Sequence, residues 1–325
     1  MFHQVTIDEI HFHVDEETES TRTFVKKSKM NVVGFTIARN VTKYDYPILE
    51  AIQSILPICD TFVVAVGDSS DDTLDRIKSL QSPKIIILET TWDPSLREGG
   101  RVLAEETNKA LSAIPVDTDW CFYIQGDEVI PETDLPVIER AMRHYQDIDS
   151  IDGLLFSYRH FYGSYHYIAD SRKWYRREIR LFKAGRGVYS YRDAQGFRKG
   201  QNEKLRVALI PAHVHHYGWV KPPEKQMEKI KNTSAFWLSD DRLQAKYGEA
   251  PDQFDYSQID SLVEFTAPHP AVMLPRIAAQ SWAFQHDIRL KKYSLKVRIL
   301  LWIYRLTGWR VGEYRNYILR DIWTS

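Results

Sequence analysis

Trp120-Cys121-Phe122-Tyr123-Ile124-Gln125-Gly126-Asp127-Glu128-Val129-Ile130 is a hydrophobic run that ends in two adjacent carboxylates. Carboxylates avoid burial unless a cation or hydrogen bonds compensate them, so a buried strand that delivers acids to a sheet edge marks a candidate site. A strand leaving the core for a solvated turn gives the same pattern, and position along the chain decides between the two. Upstream, three apolar runs alternate with helical patterns: strands over 32–38, 61–66 and 84–88, and helices over 46–56, 73–80 and 97–114. The opening run is therefore the fourth strand of a βαβ series, which predicts right-handed crossovers and a mostly parallel central sheet flanked by helices, an α/β fold. In such sheets ligands bind outside the carboxyl ends of the strands. Those ends are 36–40, 67–68 and 125–128, which should share one rim.

Composition bounds the rest. The chain has 325 residues, 43% hydrophobic and 27% charged, with a net charge of −1. That is ordinary for a globular protein and argues against bulk nucleic-acid binding. Cys59 and Cys121 both sit beside apolar runs without metal or redox spacing, which reads as buried thiols in a reducing, cytoplasmic setting. No signal core and no apolar span of membrane length is present. Residues 1–30 read as an N-terminal extension, with a short strand over 2–14 and an acidic stretch over 15–28.

The motifs narrow the chemistry. No Gly-x-Gly-x-x-Gly follows the first strand and no phosphate-loop Gly-Lys-Ser/Thr occurs, so dinucleotide and P-loop signatures are missing. A nucleotidyltransferase of similar architecture would also need a glycine-rich loop where Ala38-Arg39-Asn40-Val41-Thr42 stands. Residues 172–206 hold twelve Lys or Arg against three acids, interleaved with Trp174, Tyr175, Tyr189, Tyr191 and Phe197. This is either a solvated basic face or a patch that steers an anionic ligand, with aromatic faces supplying apolar contact area. In His213-Val214-His215-His216-Tyr217-Gly218-Trp219, strand alternation places His213 and His215 on one face and His216 on the other. Pro222-Pro223 ends that strand, and 224–237 reads as a helix with a basic face, a lid over a site. From 289 to 320 there are nine Lys or Arg and one acid, with Trp302, Trp309 and several Leu and Ile. A helix packed on the domain or on a second copy, or one lying on an anionic membrane surface, accounts for that pattern.

Ala38-Arg39-Asn40, then Asp60-Thr61-Phe62-Val63-Val64, Asp68-Ser69-Ser70-Asp71-Asp72-Thr73, Asn108 in its helix and Gln125-Gly126-Asp127-Glu128 resemble, in this order, the family 2 glycosyltransferases of the GT-A fold. The resemblance covers roughly residues 31–220 and implies an inverting transfer of sugar from a nucleotide-sugar donor to a hydroxyl acceptor, a glycan or lipid-linked molecule. It places the donor against Thr36, Ala38, Arg39, Asp68, Arg101, Gln125, Gly126 and Asp127. It implies a divalent metal, Mn²⁺ or Mg²⁺, on Asp127 and His216, with His215 the next choice. Gln125 stands where the first aspartate of the family's Asp-x-Asp is expected, and a neutral amide is a poorer ligand for hard cations. The catalytic base is Asp193, in a loop, or Glu178, in the strand-like run Trp174 to Phe182. The corresponding division is a donor half over 31–130, an acceptor and catalytic half over 131–238 and a helical C-terminal region over 239–325. The location implied is cytoplasmic or at the inner membrane face, and a GT-A-like scaffold without catalysis is the alternative that Gln125 raises.

Overall fold

The computed structural model describes residues 29–96 and 98–324. The strand expected over 2–14 and the acidic stretch over 15–28 lie outside the described residues. The first half is the expected series: β1 Val32–Ala38, α1 Ile48–Ile55, β2 Thr61–Gly67, α2 Thr73–Lys78, β3 Ile85–Thr90, α3 Arg101–Ser112 and β4 Trp120–Tyr123. These strands lie in the order β3-β2-β1-β4, all parallel, with Val33 opposite Thr61 and Val32 opposite Trp120. Their continuous hydrophobicity follows from burial on both faces. Val32, Phe62, Val64, Trp120 and Phe122 face one core with α1, whereas Val33, Phe35, Val63, Ala65, Cys121 and Tyr123 face the other with α3. On α1, Ile48, Ala51, Ile52 and Ile55 recur at helical spacing and are buried. Both cysteines are free, and burial pushes each thiol up to about 12.

The second half joins the same sheet. After β5 Glu128–Val129 and α4 Leu135–Tyr145 come β6 Gly153–Tyr162, β7 Ser164–Ala169, β8 Arg177–Lys183, the hairpin β9 Val188–Tyr191 with β10 Gly196–Lys199, and the long β11 Arg206–Trp219. β8 runs antiparallel to β4 and to β6, so 31–130 and 131–238 share one ladder. β11 pairs parallel with β6 and antiparallel with β5. Then follow α5 Pro223–Ser234, α6 Asp240–Tyr247, β12 Leu262–Glu264, α7 Leu274–Ala278, α8 Leu295–Thr307 and β13 Ile318–Ile322. The C-terminal region adds two strands to the sheet, β12 on β7 and β13 on β11. Among the described residues no helix is long and apolar enough to cross a membrane.

The opening run does not stay a strand to its end. β4 stops at Tyr123, the chain turns with Glu128 N–H donating to Gln125 O at 3.0 Å, and it restarts as β5 against β11. The turn is what puts Gln125, Gly126 and Asp127 at the rim.

Candidate active site

The ends of β1 and β4 meet in a cavity of about 230 Å³ roofed by α5, lined among others by Ala38, Arg39, Gln125, Asp127, Asp193 and Lys229. One wall is built from β1 and β2. Arg39 donates to Asp68 through Nε at 2.8 Å and Nη2 at 3.2 Å and lies 5.0 Å from the ring centre of Trp92. Trp92 packs over Gly67, where an added Cβ would come within 2.2 Å of its Nε1, and meets Phe236 of the roof at 5.5 Å. Asn40, at φ 52°, accepts from Ser70 N–H at 2.7 Å, so the 38–40 and 68–70 segments join as their sequence order suggests.

The charged end lies between β4, β11 and the roof. Asp127 is buried, with Lys229 Nζ at 2.9 Å and His216 Nε2 at 3.7 Å from its Oδ2. Burial pushes its carboxyl up, but the Lys229 ammonium and His216 override that and hold it well below the usual range. Burial lowers Lys229, and Asp127 overrides it upward. The register of β11 on β5, with His216 opposite Glu128 and Tyr217 N–H donating to Asp127 O at 2.7 Å, brings the imidazole there. Gly218 is required for this approach: a Cβ would sit 2.6 Å from Asp127 Oδ2 and 2.7 Å from His216 Nε2.

The tautomers follow from partners. Tyr175 O can only accept, so His160 Nε2 donates to it at 2.7 Å; burial lowers His160 to about 3, which leaves Nδ1 an acceptor. His216, lowered by burial to about 4, therefore donates from Nδ1 to His160 at 3.1 Å and turns a bare Nε2 toward Asp127. The Asp127 oxygen and the His216 lone pair are the groups here that would hold a divalent cation, which would share that oxygen with the Lys229 ammonium and complete its shell with water and phosphate oxygens. No cluster of three or more ligating side chains occurs among the described residues.

Other expectations resolve differently. Thr36 is fully buried and outside the cavity lining, because it lies inside β1 while the cavity opens only at the end of the strand, from Ile37 and Ala38 onward. Arg101 is exposed at the start of α3, and Leu103 reaches the cavity instead. Asp68 is half exposed beside the cavity, held by Arg39 and by Trp92 N–H at 3.1 Å. Gln125 donates its side-chain amide to Ala194 O at 3.3 Å, which ties the strand end to the Asp193 loop. His215 lies on the opposite face of β11, against Arg159 at 3.1 Å and within the Phe161 and Phe265 rings. Glu128 begins β5 and does not line the cavity. It is fully buried in a two-pronged pair with Arg180 at 2.8 Å and accepts from Tyr158 Oη at 2.7 Å and Gln125 N–H at 3.1 Å.

Asp193 lines both this cavity and a second one of about 360 Å³. It occupies the β9–β10 turn between Arg192 and Ala194, both at positive φ (58° and 62°), and backbone held so costs about 1–3 kcal/mol per residue. Asn108 of α3 clamps β9 by accepting from Ser190 N–H at 2.7 Å and donating to its carbonyl at 3.3 Å. Burial raises the Asp193 carboxyl. Glu178 lines only the second cavity; its Oε1 accepts from Gln195 Nε2 at 3.0 Å and its Oε2 is buried without a partner.

Burial, against Arg180, raises Glu178 from 4.5 to about 7. The protonated form favours the fold; that contribution is complete below about pH 4.5 and is lost as pH rises through about 7. The difference corresponds to about 3 kcal/mol. Glu178→Gln is expected to gain about that much relative to wild type across this window, read from denaturation midpoints against pH. Parallel profiles for the two proteins would refute the assignment.

Sequence reasoning did not single out Lys229, Trp92 or Arg180. Lys229 sits in the helix read as a lid, yet nothing in its spacing distinguishes it from Lys225 or Lys231.

No family model matches the chain, and no curated protein matches it. Among solved structures, S. aureus TarS matches with 14% identity over 66% of this chain and 42% of that one, at a TM-score of 0.38. The match therefore spans less than half of that relative's length. TarS 1–349 in complex with UDP matches with 11% identity over 66% of this chain and 69% of that one, at 0.36. Glucosyl-3-phosphoglycerate synthase from Mycobacterium tuberculosis, in complex with Mn²⁺, UDP and phosphoglyceric acid, matches with 18% identity over 42% of this chain and 44% of that one, at 0.27.

Proposed function

We propose that the chain is an inverting glycosyltransferase that moves a sugar from a nucleotide-sugar donor to a hydroxyl acceptor. The observation that carries this reading is a cavity at the strand ends, lined by Asp127 and Lys229 with His216 behind Asp127, and joined at a single carboxylate, Asp193, to a second cavity. The base and ribose belong against the Arg39–Trp92 wall, and the diphosphate beside Lys229. Asp193 accepts the proton of the acceptor hydroxyl; that oxygen forms a bond to the anomeric carbon while the bond from this carbon to the diphosphate oxygen breaks. The electron pair leaves with the nucleoside diphosphate, whose growing charge Lys229 meets. A divalent ion held by Asp127 and His216 would supply further charge stabilisation to the same leaving group. Lipid-linked acceptors, a membrane surface or a second copy belong at α8, whose Leu295, Ile299, Trp302 and Leu306 are exposed in a stripe beside Lys296 and Arg298.

The test is UDP binding with and without Mn²⁺, and UDP release from a panel of UDP-sugars. Lys229→Met is expected to weaken UDP about 10- to 100-fold, the range for a lost hydrogen bond to a charged group. UDP that binds both proteins equally would remove Lys229 from the donor site. Donor binding with no turnover on any acceptor would favour the non-catalytic scaffold.

A further inference from the structure

The second cavity carries an imbalance of charge that sugar transfer alone does not need. On its wall Arg176 grips Glu313 with two hydrogen bonds, at 2.8 and 2.9 Å, and Arg310 Nη1 reaches the same carboxylate at 3.4 Å. Arg172 is on this wall too; one of its guanidinium nitrogens bonds Val311 O, and Nη1 is buried without a partner. Three guanidiniums, those of Arg176, Arg310 and Arg315 at 3.6 Å, thus share one carboxylate, and Arg172 stands on the same wall with no carboxylate of its own among the described residues. Guanidinium groups do not shed their protons, so an anion bound among them relieves the repulsion. Burial and then Arg176 and Arg172 act against the charge on Arg310, the physical signature of that crowding.

We infer that this wall is an oxyanion subsite and that the acceptor is phosphorylated, its phosphoryl group held by Arg172, Arg176 and Arg310 while a hydroxyl of the same molecule faces Asp193. Glu313 offsets only one of these charges, so the positive charge left over matches a phosphate rather than a neutral glycan. Forked N–H donors suit phosphate oxygens, and burial keeps the contact from being screened. The acceptor assignment rests on the proposed transferase; the anion subsite does not.

Calorimetric titration of the full chain with inorganic phosphate, glycerol 3-phosphate, glycerol and, separately, UDP tests it. Both phosphates are expected to bind wild type and Lys229→Met, and to bind about tenfold or more weakly to Arg172→Gln and Arg310→Gln, at the magnitude of one charged hydrogen bond. Glycerol should not bind, and UDP affinity should be unchanged in the two arginine variants. Arg172→Lys, which keeps the charge, should recover part of the loss seen in Arg172→Gln and guards against a folding defect in that variant. Phosphate binding that ignores Arg172 and Arg310, that is lost only in Lys229→Met, or that is absent in wild type overturns the subsite. Glycerol 3-phosphate no tighter than inorganic phosphate would leave a free-anion site and overturn the acceptor. If UDP fails to bind while the phosphates still need Arg172, the donor reading falls and the subsite stands.

Discussion

An Asp193→Asn protein is expected to keep its UDP affinity while sugar transfer falls about 10²- to 10⁴-fold, the range for loss of a general base. The effect should be this large because Asp193 is the carboxylate shared by both cavities. Asparagine preserves the volume and the acceptance of Gln195 N–H at 3.4 Å but cannot take a proton. Its loop is held from three sides: Gln125 bonds Ala194 O, Arg180 bonds Gln195 O at 3.0 Å, and Gly100 comes so close that a Cβ there would lie 2.9 Å from Asp193 Cβ. Burial raises the Asp193 carboxyl, so wild-type kcat/KM should climb with pH through that raised pKa, and the asparagine protein should lose that limb. Glu178→Gln serves as comparison. If it abolishes transfer while Asp193→Asn retains it, the base is Glu178.

The second large effect is on stability. Glu128→Ala is expected to cost about 3–5 kcal/mol, because it strands the fully buried Arg180 guanidinium without its partner. Glu128 also organises the turn that carries Asp127, through its bond from Gln125 N–H, and Arg180 lies over the rings of Tyr123 and Tyr158 at 5.4 Å from each. The variant should therefore lose donor binding along with stability. Replacing both members, Glu128→Met with Arg180→Met, should cost less than either single change, since buried pairs are often replaceable by apolar side chains. A single-variant loss under about 1 kcal/mol, the usual worth of an exposed pair, would show that water reaches the site.

The βαβ half was legible because its strands are apolar throughout and its helices are amphipathic, and the rule placing ligands at carboxyl strand ends then located the rim. The same apolarity hid the faces. A strand buried on both sides gives no sequence cue to which residue points at a ligand, so Thr36 was assigned to a cavity that Ile37 and Ala38 line. The pairing of Asp127 with His216, 89 positions apart, was suggested by motif order, but the reason for it is the antiparallel register of β5 on β11, which no local pattern encodes. Asp127 and Glu128 are adjacent in sequence, and the turn separates them, one to the cavity and one to Arg180 in the interior. Lys229 and the Arg172, Arg176 and Arg310 wall depend on contacts between elements far apart in the chain, and composition showed only that 172–206 is basic.

The ladder that joins β4 to β8 has a mechanical consequence. The strand leading to Gln125 and Asp127 and the strand bearing Glu178 are hydrogen-bonded neighbours, with Trp120 opposite Lys183 and Phe122 opposite Leu181. Neighbouring strands are about 4.8 Å apart. The spacing between the two compartments is therefore gauged by backbone rungs, as on a ruler, and is set when the sheet forms rather than when a loop closes. Insertions in the surface connections can change what enters each compartment while leaving that gauge untouched.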